Sequence, residues 1–269
     1  MFKQRVITGL LIGPAVLAAV WWFPISWFAL LIGAATLYGA WEWSNFCRYG
    51  LRERVVFVVL IALLLGVVYG FLNEALVSTV TLMAVLFWLA ALIMVLRYPS
   101  SSFWSNQANK MLIGIAVLVP AWLAMTAIKA WTHGEFLILL LLALVWGADI
   151  GAYAAGKTLG KRKLLPEVSP GKTREGCVGG LLVCVLVGVA YSMLRELPLT
   201  ATVYFVLLSL ITGMASVLGD LFESMLKRER GIKDSGRLLP GHGGVLDRID
   251  SLTAAAPVFL AGLYMAPQI

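Results

Sequence analysis

The chain has 269 residues, of which 61% are hydrophobic and only 13% charged, and its mean hydropathy is +0.90. Soluble domains carry roughly 25% charged residues, so a soluble domain with one anchor is excluded and an all-α, polytopic membrane bundle is expected. The net charge of +7 comes with no nucleic-acid module and no basic tail, so Lys and Arg are read as holding topology against the cytoplasmic leaflet, and no nucleic-acid partner is expected.

In chain order, Met1-Phe2-Lys3-Gln4-Arg5 resembles the charged start of a signal peptide, but apolar segments follow throughout, so the run from Val6 is taken as the first membrane helix. A span needs about 20 mostly apolar residues. Nine candidates meet this: 6–22, 25–44, 55–72, 76–96, 111–131, 136–155, 176–194, 201–222 and 251–267. The first and last are short enough to be tilted or partly re-entrant. Residues 1–110 hold the first four helices. Residues 111–269 hold the other five and two long polar loops, 156–175 and 223–250. With the N-terminus in the cytoplasm and the C-terminus outside, 19 of the 21 Lys and Arg fall in cytoplasmic segments, leaving only Lys129 and Arg195 on the other face. Lys129 is placed to snorkel at a helix end beside Trp131, and Trp41 and Trp43 suit an interfacial belt. Cys47, Cys177 and Cys184 have no disulfide or metal spacing and are taken as small core residues.

An ionisable residue in a spanning helix is expensive and marks a candidate functional site. Asp149 sits in the inner half of the sixth span, Asp220 at the inner end of the eighth, and Asp247 and Asp250 at the inner start of the ninth. Clustered carboxylates repel unless something positive lies between them. Mg²⁺ takes oxygen ligands, typically one or two carboxylates plus substrate phosphates. The competing reading pairs each Asp with a neighbouring cation such as Arg248, or makes it a helix cap. Glu42 is expected to be interfacial, Glu223 is ambiguous, and His133 is expected to be solvated.

Gly171-Lys172-Thr173 invites a phosphate-loop reading, but the motif needs a glycine where Pro166 stands, and no strand is expected before it. What remains is a basic loop from Ser169 to Gly176 that leads into a helix start, a ready anion site. The segment 224–250 is the most specific in the chain. It runs Ser224-Met225-Leu226-Lys227-Arg228, then Lys233-Asp234, then Pro240-Gly241-His242-Gly243-Gly244, then Asp247-Arg248-Ile249-Asp250. Six cations lie between 227 and 248, and glycines around His242 would let backbone N–H groups approach a phosphate.

This segment resembles the signature of the phosphatidate cytidylyltransferase (CDP-diacylglycerol synthase) family at every fixed position from Ser224 to Asp250. Ala148-Asp149-Ile150-Gly151-Ala152-Tyr153 and the stretch from Ser169 through Lys172 and Thr173 to Gly176 are similar too. The resemblance covers the C-terminal half, and residues 1–110 match only as generic apolar helices. It implies transfer of CMP from CTP to phosphatidic acid with Mg²⁺, and with room for a second, monovalent cation, at the cytoplasmic face of a cell inner membrane. The expected catalytic set is Asp220, Asp247, Lys227, His242 and Arg248. Asp220 and Asp247 are expected to carry the metal, with Asp250 and Asp149 as further ligands. Lys172, Lys227, Arg228, Lys233 and Arg248 are expected to hold phosphates, with Ser169, Thr173, Ser224, Gly243 and Gly244 completing the substrate site. A CTP-dependent polyprenol kinase or a membrane transporter is the alternative, and small-residue helix faces allow a homodimer.

Overall fold

The computed structural model describes residues 13–100, 106–238 and 243–266. Within these, α1 is described over Gly13–Trp22. It is followed by α2 (Ile25–Phe46), α3 (Leu51–Gly70), α4 (Glu74–Leu96), α5 (Gln107–Ala130), α6 (Gly134–Leu159), α7 (Arg174–Leu194), α8 (Leu199–Arg230) and α9 (Leu246–Met265). Each of the nine expected apolar segments corresponds to one helix, and residues 6–12 of the first lie outside the described residues. Five helices, α4 to α8, are long and apolar enough to cross a membrane. The protein is therefore a multi-pass membrane protein.

The fold departs from all-α in one place. The expected loop 156–175 contains an antiparallel hairpin of β1 (Lys163–Leu165) and β2 (Ser169–Thr173), with Lys163 opposite Thr173 and Leu165 opposite Ser169. Its base is closed where the Arg174 N–H donates to the Arg162 carbonyl at 2.8 Å. The Glu175 carboxylate also accepts from the Lys161 and Arg162 N–H groups, each at 3.1 Å. A strand thus precedes Pro166, contrary to expectation. Gly171 and Lys172 lie inside β2 rather than in a loop before a helix, so the phosphate-loop reading fails on geometry as well as on sequence.

Helix α8 also differs from expectation. It runs eight residues beyond the expected end at 222, to Arg230. At 1.5 Å per residue its 32 residues span about 48 Å, well over the roughly 30 Å of a bilayer core. The helix is thus longer than a bilayer core requires, and its last turns carry the Ser224-to-Arg228 part of the signature on helix, not loop. Gly231, at φ +75°, ends it. The Gly231 N–H donates to the Arg228 carbonyl at 3.0 Å and the Ile232 N–H to the Lys227 carbonyl at 2.9 Å, a glycine cap that only φ > 0 permits. Lys227, Arg228 and Arg230 in the final turn complement the helix dipole.

Lipid chains are as apolar as Leu, so helices in a bilayer associate by close packing rather than by escape from solvent. The contact between α6 and α7 shows this. A Cβ at Gly180 would sit 2.6 Å from the Ala148 carbonyl oxygen, and one at Gly151 would sit 2.6 Å from Val183 Cγ2 and 2.8 Å from the Gly179 carbonyl. Helices α5, α8 and α9 fill the interior, where Phe222, Phe259, Leu118 and Ile128 are buried. Helices α3, α4 and α7 turn rows such as Val55, Val59 and Leu63, or Leu82, Leu86 and Leu89, outward. Trp43 belongs to the core rather than an interfacial belt: it is 1% exposed and its indole N–H donates to the Lys110 carbonyl at 2.9 Å. Lys129 donates to the Val20 carbonyl and lies over the Phe28 ring. The three cysteines are free, Cys47 and Cys184 being buried.

Gly151→Val overpacks the α6–α7 contact and is expected to cost about 1–3 kcal/mol or more. Gly66→Val, at a glycine with nothing within 4 Å, is expected to be neutral. Thermal unfolding of the two variants in detergent checks this, and equal midpoints would show that α6 and α7 are not so closely packed.

Candidate active site

The candidate residues meet where the ends of α6 and α8, the hairpin, and the start of α9 come together. The first contact is between hairpin and helix. Thr173 caps α7, its hydroxyl oxygen accepting from the Gly176 N–H at 3.1 Å, so that hydroxyl is spent on structure rather than offered to a substrate. Its neighbour Lys172 then reaches α8, with Nζ 2.5 Å from Asp220 Oδ2. Ser224, one turn on, donates to Asp220 Oδ1 at 3.3 Å. Lys172 and Asp220 both remain more than a quarter exposed, at 29% and 27%. Arg228 fastens the hairpin from the other side, its Nε donating to the Val168 carbonyl at 3.2 Å.

A cavity of about 370 Å³ opens beside this pair, lined by Ala148, Asp149, Tyr153, Lys157, Lys172 and Val217 among others. It is mostly apolar, with Asp149, Lys157 and Lys172 as the charged residues of its lining. Asp149 lies within electrostatic reach of Asp220, Lys172 and Arg248. Asp220 in turn influences Asp250, and Asp250 lies beside Glu223. Gly219 makes this closeness possible, since a Cβ there would stand 2.5 Å from the Asp250 carbonyl oxygen. The expected gathering of acids from α6, α8 and α9 is therefore present as a string, Asp149, Asp220, Asp250 and Glu223. Glu223, ambiguous in sequence, is part of it.

Asp247 has a different task. Its Oδ1 accepts from Lys227 Nζ at 2.8 Å and from the Ser235 N–H at 3.2 Å, while Oδ2 accepts from the Ser235 N–H at 3.0 Å and the Gly244 N–H at 2.7 Å. A carboxylate has about four lone-pair sites, and three protein donors, with the Ser235 N–H shared between both oxygens, leave Asp247 largely committed to the protein. Lys227 is likewise committed. It is 8% exposed and lies 3.4 Å from Glu223 Oε1 as well as bonding Asp247. It neutralises two acids rather than projecting toward a substrate.

The glycine pair also differs from expectation. Gly243 takes φ +83°, and a Cβ there would meet Asp247 Oδ2 at 2.6 Å, while one at Gly244 would overlap Ser235 and the Glu42 carboxylate. The two glycines admit protein carboxylates, and the Gly244 N–H is used on one of them. Glu42, taken from sequence as interfacial, is 3% exposed and buried under this turn. Lys233 is exposed and lines a second, polar cleft of about 460 Å³ with Trp41, Arg54, Asp234 and Arg237. Ser169 stands at the start of β2 opposite Leu165, and Arg248 stands in the first turn of α9. His242 lies outside the described residues. His133, as expected, is exposed.

Among the described residues no three His, Cys, Asp or Glu side chains stand together in a way that would hold a metal ion. Both Glu223 oxygens are nevertheless buried without a hydrogen-bond partner. Lys227 lies 3.4 Å from Oε1 and offsets that charge, so these acids suit a cation that arrives already bound to phosphate oxygens better than one held by protein alone.

The model of the cytidylyltransferase family matches residues 3–266 of this chain. The chain belongs to the cytidylyltransferase family. It is 44% identical over 268 residues to a phosphatidate cytidylyltransferase of Pseudomonas aeruginosa, covering 99% of this chain and 98% of that one. It is 42% identical to a phosphatidate cytidylyltransferase of Haemophilus influenzae over 96% of this chain and 97% of the relative. It is 34% identical to one of Brucella suis, over 98% and 94%. Family membership therefore extends over the first 110 residues, which carry no signature of their own.

Lys227→Met strands Asp247 and Glu223, whose side chains are 7% and 4% exposed. Removing one partner of a buried pair is expected to cost about 3–5 kcal/mol. Adding Glu223→Gln removes one bared charge and should recover part of the loss. Thermal midpoints of the single and double variants in detergent check this; a Lys227→Met protein as stable as its parent would rule out a structural ion pair.

Proposed function

We propose that the protein transfers the cytidylyl group of CTP to phosphatidic acid, yielding CDP-diacylglycerol and pyrophosphate. A phosphatidate oxygen attacks the α-phosphorus, a P–O bond forms there, and the bond from that phosphorus to the bridging oxygen breaks as pyrophosphate leaves. The observation that carries the reading is Lys172, which lines a largely apolar cavity and pairs with Asp220 on α8, one turn before Ser224 of the signature. The names of the full-length relatives agree. An apolar cavity with lysines in its lining suits a lipid phosphate.

The nucleophile is already ionised, so positioning and charge stabilisation matter more than a strong base. Lys172, Lys157 and Arg248 bring the two anions together. Arg228 and Lys233 offer further cationic contacts to the triphosphate, with Ser169 and Ser224 nearby. Asp220, once Lys172 turns to a phosphate, and Asp250, whose Oδ1 accepts from the Ser251 N–H at 2.7 Å, are the carboxylates that would hold Mg²⁺ with the nucleotide's phosphates, and Asp149 lies next in line. Asp247 would have to release a protein donor to join them. When bound, Mg²⁺ would offset charge on the phosphates as the pyrophosphate departs. Lys227 and Asp247 hold the surrounding loop in shape.

The placement we favour is a cytoplasmic membrane, with α1, α2, α3 and α9 crossing along with the five longest apolar helices, the N-terminus inside and the site facing the cytoplasm. The distribution of 19 of 21 cations supports it.

Membranes containing the protein, given CTP labelled at the α-phosphate and phosphatidic acid, should form a labelled lipid. Label moving only from the γ-phosphate would point to a kinase, and no labelled lipid from either would overturn a CTP-dependent transfer. Chelation of divalent ions should abolish the reaction and added Mg²⁺ restore it. Asp220→Asn should lower kcat by about 100-fold or more, the size of effect seen when one electrostatic stabiliser of a transition state is removed. Lys172→Met should act mainly on the KM for phosphatidic acid.

A further inference from the structure

Glu42 belongs to α2, in the part of the chain that carries no signature, and a buried carboxylate there needs a reason. The Leu246 N–H donates to its Oε2 at 2.7 Å, the Val245 N–H to its Oε1 at 3.2 Å, and the Ser235 hydroxyl to its Oε2 at 3.3 Å. Val245 and Leu246 are where α9 begins, and no side chain of their own segment caps that end. The first N–H groups of a helix have no intrahelical partner and attract an anion. Here the anion comes from another helix, 203 and 204 residues away in sequence.

Ser235 connects this acid to the site. Its hydroxyl bonds Glu42 while its N–H bonds Asp247, which in turn holds Lys227. Both ends of the segment between α8 and α9 are thereby tied to one carboxylate. Gly236 and Gly244 are packed so closely on it that a Cβ at either would overlap the carboxylate.

We propose that Glu42 is a positioning residue for the transfer reaction. It fixes Ser235, Val245 and Leu246 so that Asp247, Lys227 and Asp250 keep their places, and it does so without touching substrate. The proposal rests on the cytidylyl-transfer reading for its kinetic consequence but not for its structural one.

Glu42→Gln keeps the shape and places an amide donor against N–H and O–H donors. Hydrogen exchange by mass spectrometry should show faster exchange in peptides covering 233–247 of this variant, with peptides of α6 and α7 unchanged. In the lipid assay, kcat/KM for CTP should fall about 10- to 100-fold, the usual cost of losing an orienting partner. The KM for phosphatidic acid should stay within about threefold, since Lys172 and its cavity are untouched. Combined with Asp247→Asn, the loss should exceed that of the worse single variant by no more than about threefold, because both act on one loop.

Unchanged exchange in 233–247 would overturn the clamp whatever the assay shows. Faster exchange with kcat/KM preserved within twofold would overturn the link to catalysis, as would losses that multiply with those of Asp247→Asn. A Glu42→Gln protein that does not fold would be replaced by Ser235→Ala, which removes only the hydroxyl contact. For it the same exchange peptides and the same kinetic split are expected, at smaller size, and no change in either would overturn the proposal.

Discussion

The site depends on the requirement that carboxylates brought together from several helices be compensated locally. Asp149, Asp220, Glu223, Asp247 and Asp250 come from three helices into one region where water is scarce. In such a setting like charges repel strongly and an unpaired ion is costly. The structure answers with two lysines of different kinds. Lys227 is buried and permanent in character, bridging Glu223 and Asp247 and so locking α8 to α9. Lys172 is a quarter exposed and arrives from the hairpin to meet Asp220. The first pair fixes the frame. The second sits where solvent and substrate can compete for both partners, as a pair that must rearrange around phosphate requires.

This division explains the geometry of the elements around it. Helix α8 has to run on to Arg230 for Ser224, Lys227 and Arg228 to stand on a rigid support, which suits a site better than a loop would. The hairpin has to be short and closed at its base by Glu175 so that Lys172 projects from a fixed position. Gly219 has to lack a side chain so that α9 can bring Asp250 beside Asp220.

Much of this was legible in the sequence, for identifiable reasons. Nine apolar segments and one-sided Lys and Arg are readable because bilayer thickness and leaflet charge act on composition directly. The acids at Asp149, Asp220 and Asp250 are readable because a charge in an apolar helix is conspicuous. The end of α8 was misplaced because residues 223–230 are polar, and hydropathy marks where the membrane stops, not where the helix does. The hairpin was missed because its strands are only three and five residues long. Glu42 was misread because its partners are backbone N–H groups 203 and 204 positions away, which no spacing rule connects. The spacing of Gly243 and Gly244 suggests a close approach to a phosphate, and the groups that lie against them in the structure are the carboxylates of Glu42 and Asp247.

That last difference changes how the signature works. A glycine turn whose N–H groups faced phosphate would make the loop itself the binding element. A glycine turn folded onto two protein carboxylates makes the loop a spacer, whose shape is set from beneath by α2 and α9. The polar side chains around it stand on rigid elements instead: Lys172 on β2, Asp220 and Ser224 on α8, and Arg248 and Asp250 on α9. Conformational freedom in the loop would be harmful in this arrangement, since each step it moved would carry Asp247 and Lys227 with it. A buried carboxylate from a helix with no signature of its own is an economical way to prevent that. It also gives the N-terminal helices a physical connection to the signature in the other half of the chain.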